Sequence, residues 1–185
     1  MRVVGGDYKG TQIFAPKGNA TRPTSDRVRE ALFNVLAHGI DDFELEGARV
    51  LDLFAGTGAL GLEALSRGAE FILLVDDGID ARGAIRRNIE SMGAMGRTKL
   101  FKRNATKLGD SGTMGQFDLL FADPPYDKGL GEKALIAAYE GNWLADGALC
   151  VLEERTGNEL AFPDGFMVID ERKYGDTTIW IGRFG

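Results

Sequence analysis

Leu51-Asp52-Leu53-Phe54-Ala55-Gly56-Thr57-Gly58-Ala59-Leu60-Gly61, or LDLFAGTGALG, decides the fold. An apolar run passes through a glycine-punctuated turn into residues of good helix propensity. Gly56, Gly58 and Gly61 match G-x-G-x-x-G, and Asp76 stands twenty positions after Gly56. Glycines let the backbone turn sharply and approach a ligand, and an acidic residue at this distance accepts hydrogens from ribose hydroxyls. The loop alone does not name its ligand. Asp52 separates the alternatives, because a carboxylate without a partner is expensive at the end of an apolar strand. Beside a pyrophosphate it repels; beside S-adenosylmethionine, which carries an ammonium and a sulfonium, it attracts. Capping a local backbone turn is the alternative role for Asp52.

Outward from this loop the chain alternates strand and helix. Apolar runs at 49–54, 71–75, 100–102, 118–122 and 148–152 read as strands, and helical segments fit at 60–66, 79–92 and 132–139. Such alternation predicts an α/β, doubly wound, mostly parallel sheet covered on both faces. The tail differs. Residues 166–170 and 178–181 flank Tyr174-Gly175-Asp176 with no helix between, so an antiparallel C-terminal strand is expected. Upstream, residues 2–16 form a Gly-punctuated stretch, read as a hairpin or irregular arm. Thr24-Ser25-Asp26 then supplies N-cap residues for an amphipathic helix with Val28, Ala31, Leu32, Val35 and Leu36 on one stripe, ended by Gly39. No repeat or linker divides the chain. The expected organisation is an N-terminal arm and helix at 1–40 packed on one globular unit at 41–185.

Ligands of open α/β sheets bind outside the carboxyl ends of the strands. Asp52, Phe54, Gly56 and Gly58 after the first strand, Asp76 after the second, and Asn104 with Ala105 after the third are the candidate cofactor residues. Asp77 is the register alternative to Asp76 for the ribose. Asn104 either offers its amide oxygen to an adenine amino group or simply forms its loop.

The fourth strand leads into Asp123-Pro124-Pro125-Tyr126, the candidate catalytic corner. Two prolines cannot continue a strand or helix, and they stiffen the turn they occupy. An amino group conjugated to an aromatic ring is a poor nucleophile, because its lone pair is delocalised. A carboxylate and a proline-held carbonyl that accept its two hydrogens favour a pyramidal nitrogen. They also meet the positive charge that grows as a methyl group arrives. Tyr126 supplies a ring for the base to stack on, worth about 1–3 kcal/mol.

The bulk numbers set limits. At 185 residues the chain is ample for one core, and no apolar run approaches the ~18 residues of a membrane span. No secretory apolar segment opens it, and the lone Cys150 lies in an apolar run; a reducing cytoplasm and a structural thiol are expected. His38 is the sole histidine and no metal-spaced cluster surrounds it, so no metal is expected. Net charge is −6, yet residues 1–40 carry six basic against three acidic residues, and the remainder is net −9. Phosphate contacts would therefore be local to the leader.

LDLFAGTGALGLEALSRGA, FADPPY and RPTSDRVREALFNVL together resemble the bacterial family that methylates a guanine N2 of 16S ribosomal RNA, over essentially the whole chain. DPPY alone is shared with adenine-N6 methyltransferases of DNA; the leader is the more specific part. The resemblance implies a seven-stranded class I methyltransferase fold, S-adenosylmethionine as donor (S-adenosylhomocysteine as product), and guanine 966 as target. It further implies 16S rRNA, the small ribosomal subunit or an assembly intermediate as partner, and no membrane. A monomer is expected. Asp123 and the Pro124 carbonyl would hold the amino group, Tyr126 would stack, and Arg22, Arg27 and Arg29 would meet phosphates, with Arg2 and Lys9 as weaker candidates. The family often has Glu where Asp76 stands and Asp where Asn104 stands; both substitutions keep an acceptor. Competing readings are an adenine-N6 DNA methyltransferase, for which 185 residues leave little space for a target-recognition domain, and a nicotinamide-dependent oxidoreductase.

Overall fold

The computed structural model describes residues 1–18 and 24–185. Five strands run parallel: β1 (Arg49–Leu53), β2 (Phe71–Val75), β3 (Thr98–Phe101), β4 (Phe117–Ala122) and β5 (Leu144–Arg155). The hairpin strands β6 (Phe166–Tyr174) and β7 (Thr177–Phe184) complete one seven-stranded sheet in the order β3-β2-β1-β4-β5-β7-β6. Only β7 opposes the rest, pairing antiparallel with both β5 and β6. A two-residue connection permits nothing else, whereas parallel neighbours need long crossovers.

Helices α2 (Ala59–Ser66), α3 (Ile79–Ser91) and α4 (Leu130–Glu140) supply three of those crossovers. From β3 to β4 the chain instead crosses by loops and a short 3-10 turn, Gly112–Met114. Strand alternation divides the core. Val50, Ile72, Leu74 and Phe121 pack on one face with α2, α3 and the leader helix α1 (Asp26–His38); Leu51, Leu53, Leu73 and Leu120 pack on the other with α4 and Trp143. The sheet is covered on both faces, as expected. Burial pushes the Cys150 thiol pKa up, which keeps it inert.

Some boundaries differ from expectation, for tertiary reasons. β3 begins two residues earlier because pairing with β2 fixes its register from Ile72↔Thr98. β5 is 12 residues long rather than five, since β4 pairs with its start at Phe117↔Leu144 and β7 with its end as far as Arg155. Ser25 caps α1 through its Oγ, which accepts the Val28 N–H at 3.2 Å, and the Gly39 N–H closes the helix on the Val35 carbonyl at 2.7 Å. Its buried stripe is Arg29, Leu32, Phe33 and Leu36, while Val28, Ala31 and Val35 are half-buried. The stripe rotates because Phe33 packs on Phe121 at 5.7 Å between ring centres.

Residues 1–13 fold back on themselves, with Val3 N–H donating to the Thr11 carbonyl at 2.9 Å and Arg2 bridging to Gln12. This arm sits on α2. The wholly buried Glu63 carboxylate accepts from Val4 N–H (2.8 Å), Gly5 N–H (2.9 Å), Arg29 Nε (3.1 Å) and Arg67 Nε (2.9 Å). Asn88 of α3 ties Phe14 to the glycine loop, accepting its N–H at 2.8 Å and donating to its carbonyl and to that of Thr57. Among the described residues, no helix is long and apolar enough to cross a membrane.

Candidate active site

The strand order reverses at β1, whose neighbours are β2 and β4, so a crevice opens at the carboxyl ends of β1 and β4. A cleft of about 650 Å³ lies there. Asp52, Phe54, Gly56 and Asp76 line it from one side, and Asp123, Pro124, Pro125 and Tyr126 from the other.

The glycine loop explains its own composition. Buried Asp52 Oδ2 accepts the Gly61 N–H at 2.9 Å. A side chain at Gly61 is excluded, since its Cβ would sit 2.7 Å from Ile72 Cγ2 and 3.0 Å from Asp52 Oδ2. Phe54 holds φ at 53°, a left-handed conformation costing a bulky residue about 1–3 kcal/mol. Asp76 ties together the loops after β1 and β2, accepting Gly56 N–H on Oδ2 at 2.9 Å and Gly78 N–H on Oδ1 at 2.8 Å. Asp77 lines the same rim.

Burial pushes the Asp52 pKa up to about 8, against the Gly61 hydrogen bond and with help from the charge of Asp76. The folded state therefore holds a proton that the unfolded chain releases near pH 4, so this group's contribution to stability falls as pH rises from about 4 to about 8 and is flat above. Asp52→Asn keeps an acceptor for Gly61 but cannot ionise. Its urea-unfolding free energy should gain on wild type by up to roughly 1.4 kcal/mol per pH unit across that window. A constant difference between the two proteins would show that Asp52 ionises normally. The same variant should weaken binding of a cationic donor.

At the other wall, Ala122↔Leu152 is the last registered pair of β4 and β5, so Asp123 and Glu153 come next, side by side. The Thr24 hydroxyl lies between the two carboxyl groups. Thr24, immediately before the α1 cap, donates its hydroxyl to Glu153 Oε2 at 2.8 Å and lies 3.4 Å from Asp123 Oδ2. Tyr126 donates to Glu153 Oε1 at 3.1 Å, and its hydroxyl lies 2.7 Å from Thr177 Oγ1 on β7. Burial, then the neighbouring Glu153, raises the Asp123 pKa well above the carboxylate range. Burial also pushes the Tyr126 pKa up to about 12. The Tyr126 ring is thus pinned through its hydroxyl, with the Arg155 guanidinium 5.4 Å from the ring centre.

Other expected residues lie elsewhere. Asn104 uses its Oδ1 in its own loop, accepting Thr106 N–H at 2.9 Å and Thr106 Oγ1–H at 2.7 Å; neither it nor Ala105 lines the cleft. Gly58 caps α2 with φ at 80° behind the lining. Arg27 is exposed on α1, outside the cleft. Arg29, expected to meet phosphate, is wholly buried: it pairs with Glu63 and Asp26 and donates to the Arg2 carbonyl. Arg22 lies outside the described residues. Thr24, Glu153, Lys17 and Arg155 are the site residues that motif reading misses. Glu153 had one available signal, a polar residue directly after the apolar run 148–152 at a strand's carboxyl end.

A family model described as conserved hypothetical protein 95 matches residues 1–183, nearly the whole chain. The chain belongs to that family. Among its relatives, the ribosomal RNA small subunit methyltransferase D of Escherichia coli is 38% identical over 161 residues, covering 86% of this chain and 77% of the relative. The putative rRNA methyltransferase YlbH of Bacillus subtilis is 33% identical, covering 98% of this chain and 97% of the relative. The solved structure of the putative methyltransferase yhhF from Escherichia coli superposes with a TM-score of 0.85 at 30% identity, covering 100% of this chain and 97% of that one. This member of the conserved hypothetical protein 95 family is an enzyme with the class I S-adenosylmethionine-dependent methyltransferase fold, as expected. Among the described residues, no group of three or more His, Cys, Asp or Glu is placed to hold a metal ion.

Proposed function

We propose that the chain transfers a methyl group from S-adenosylmethionine to the exocyclic N2 of guanine 966 in 16S rRNA, as a monomer in the cytoplasm, on the naked RNA or within a small-subunit particle. The observation carrying this is the charge of the cleft. Among the described residues, Asp76, Asp77, Asp80 and Asp127 line it against Lys17 and Arg155, while Asp52 and Asp123, whose pKa values burial raises, are further acids that a bound cation would help to ionise. Such a wall suits an ammonium and a sulfonium and repels a pyrophosphate, which disfavours a nicotinamide dinucleotide.

When bound, the donor supplies an electrophilic methyl group on sulfur. Asp76 or Asp77 would hold its ribose, and the acidic floor at Asp52 its cationic end. Asp123 and the Pro124 carbonyl accept the two hydrogens of the guanine amino group, and Tyr126 stacks on a base turned out of its helix. Of the described leader arginines, Arg27 and the weaker candidate Arg2 are exposed and available for phosphate contact.

Incubating the protein with labelled donor and small subunits or rRNA, then mapping the product by mass spectrometry, should place the label on one guanine. Absence of labelled guanine refutes the substrate. Titration should show S-adenosylhomocysteine binding and no tight NADH binding. Arg27→Ala should weaken RNA binding and reduce the salt slope of log affinity by about 1, with donor affinity unchanged. An unaltered slope would remove Arg27 from the interface.

A further inference from the structure

We propose that Glu153 is a positioning residue of the methyl-transfer site, acting through Asp123 so that the two carboxyls together hold the proton that the substrate amine releases. This rests on the reading that Asp123 meets the amino nitrogen. Amine methylation leaves one proton too many. The nitrogen lone pair forms the N–C bond, the C–S bonding pair stays on sulfur, and the nitrogen, now positive, must lose an N–H proton. The nearest base is Asp123, and a single carboxylate is a weak one. A second carboxylate beside it raises its affinity for a proton, because two like charges at one place resist joint ionisation.

The surroundings are arranged for that second role. Glu153 sits one strand over, beside Asp123 across adjacent parallel strands. Each of its oxygens receives a hydroxyl, from Thr24 at 2.8 Å and from Tyr126 at 3.1 Å. Both Glu153 oxygens are thus taken up as hydrogen-bond acceptors, and it is Asp123 whose affinity for a proton is raised, by burial and then by Glu153. Thr24 enters from the leader and Tyr126 from the corner, its hydroxyl held in turn by Thr177 of β7, so two separate segments converge on one side chain. Among the described residues, the other ionisable groups facing the pair are Asp52 from β1, which raises the proton affinity of Asp123 further, and Arg155, which is paired with Asp127 at 3.1 Å. A cationic donor in the cleft opposes Asp52, so the pair releases its proton to solvent as the donor binds and takes one up again from the amine.

The test compares wild type, Glu153→Gln and Asp123→Ala in single-turnover methylation of small subunits over a range of pH. Calorimetry with S-adenosylhomocysteine and carboxyl-carbon NMR titration of the free proteins run in parallel. Glu153→Gln keeps an acceptor for Thr24 and should bind the product as wild type does. Its rate at the plateau should fall about 10²-fold, with its acid limb moved to lower pH and the Asp123 carboxyl titrating nearer the ordinary range. A lower rate with the acid limb and the Asp123 titration unmoved means a merely structural Glu153 and overturns the inference. A rate within about 2-fold of wild type overturns it too. Should Asp123→Ala itself retain wild-type rate, the underlying role of Asp123 fails, a distinct outcome.

Discussion

Asp123→Ala lowers the single-turnover methylation rate by at least ~10³-fold while leaving S-adenosylhomocysteine binding within a few-fold of wild type. The carboxyl group has no partner in the glycine loop, so its loss leaves the donor side of the cleft intact. What disappears is the acceptor that pyramidalises the amine and takes its proton, both acting on the transition state more than on bound substrate. Folding is not at risk. Asp123 is crowded by Glu153 and by the charge of Asp52, and its raised pKa means that ionising it works against the folded state. The variant should therefore unfold at the same temperature as wild type or higher, as expected where a site holds groups that function needs and stability does not. Calorimetry, a melting curve and one rate measurement suffice. A rate near wild type, with product binding unchanged, would remove Asp123 from the chemistry.

The parts of this site legible in the sequence are those written in consecutive residues. LDLFAGTGALG announces strand, turn and helix because each requirement is local: a close pass at Gly61, left-handed backbone at Gly56 and Gly58, and a carboxylate that needs a partner. DPPY is legible for the same reason. The partner of Asp123 was not, since Glu153 lies 30 residues downstream and becomes a neighbour only through the parallel register of β4 and β5. Asn104 is the opposite case, a residue for which two roles were open and whose local one is visible. An Asx-type turn to Thr106 engages its amide oxygen in two local bonds, the loop-forming role that the sequence also allowed. Fold class came from the alternation of strands and helices. Strand length did not, because β5 begins where β4 pairs with Leu144 and ends where β7 pairs with Arg155, a property of the sheet and not of the segment.

Arg29→Ala destabilises the protein by about 3–5 kcal/mol and lowers its melting temperature by on the order of 10 °C. Positive charge in a basic leader suggested a phosphate contact, yet this guanidinium is wholly buried, with Glu63 3.1 Å from Nε and Asp26 2.9 Å from Nη2. Its removal leaves the Glu63 carboxylate inside the protein with one cation, Arg67, and two backbone N–H groups of the arm. Arg29→Lys should recover only part of the loss, because an ammonium cannot reach Glu63, Asp26 and the Arg2 carbonyl in three directions at once. Urea unfolding of Arg29→Ala, Glu63→Gln and the double variant tests the assignment. The double variant should lose less than the two single losses combined, since its second change removes an ion already stranded. If Arg29→Ala instead unfolded like wild type and bound RNA poorly, the guanidinium would belong to the interface. The consequence reaches the active site. Glu63 lies on α2, whose first turn carries Gly61 against Asp52. Loosening the arm from α2 therefore also frees Thr24 at the carboxylate pair and the support beneath the glycine loop. Residual folded Arg29→Ala should accordingly show weaker product binding, which Arg27→Ala, on the exposed face of the same helix, should not.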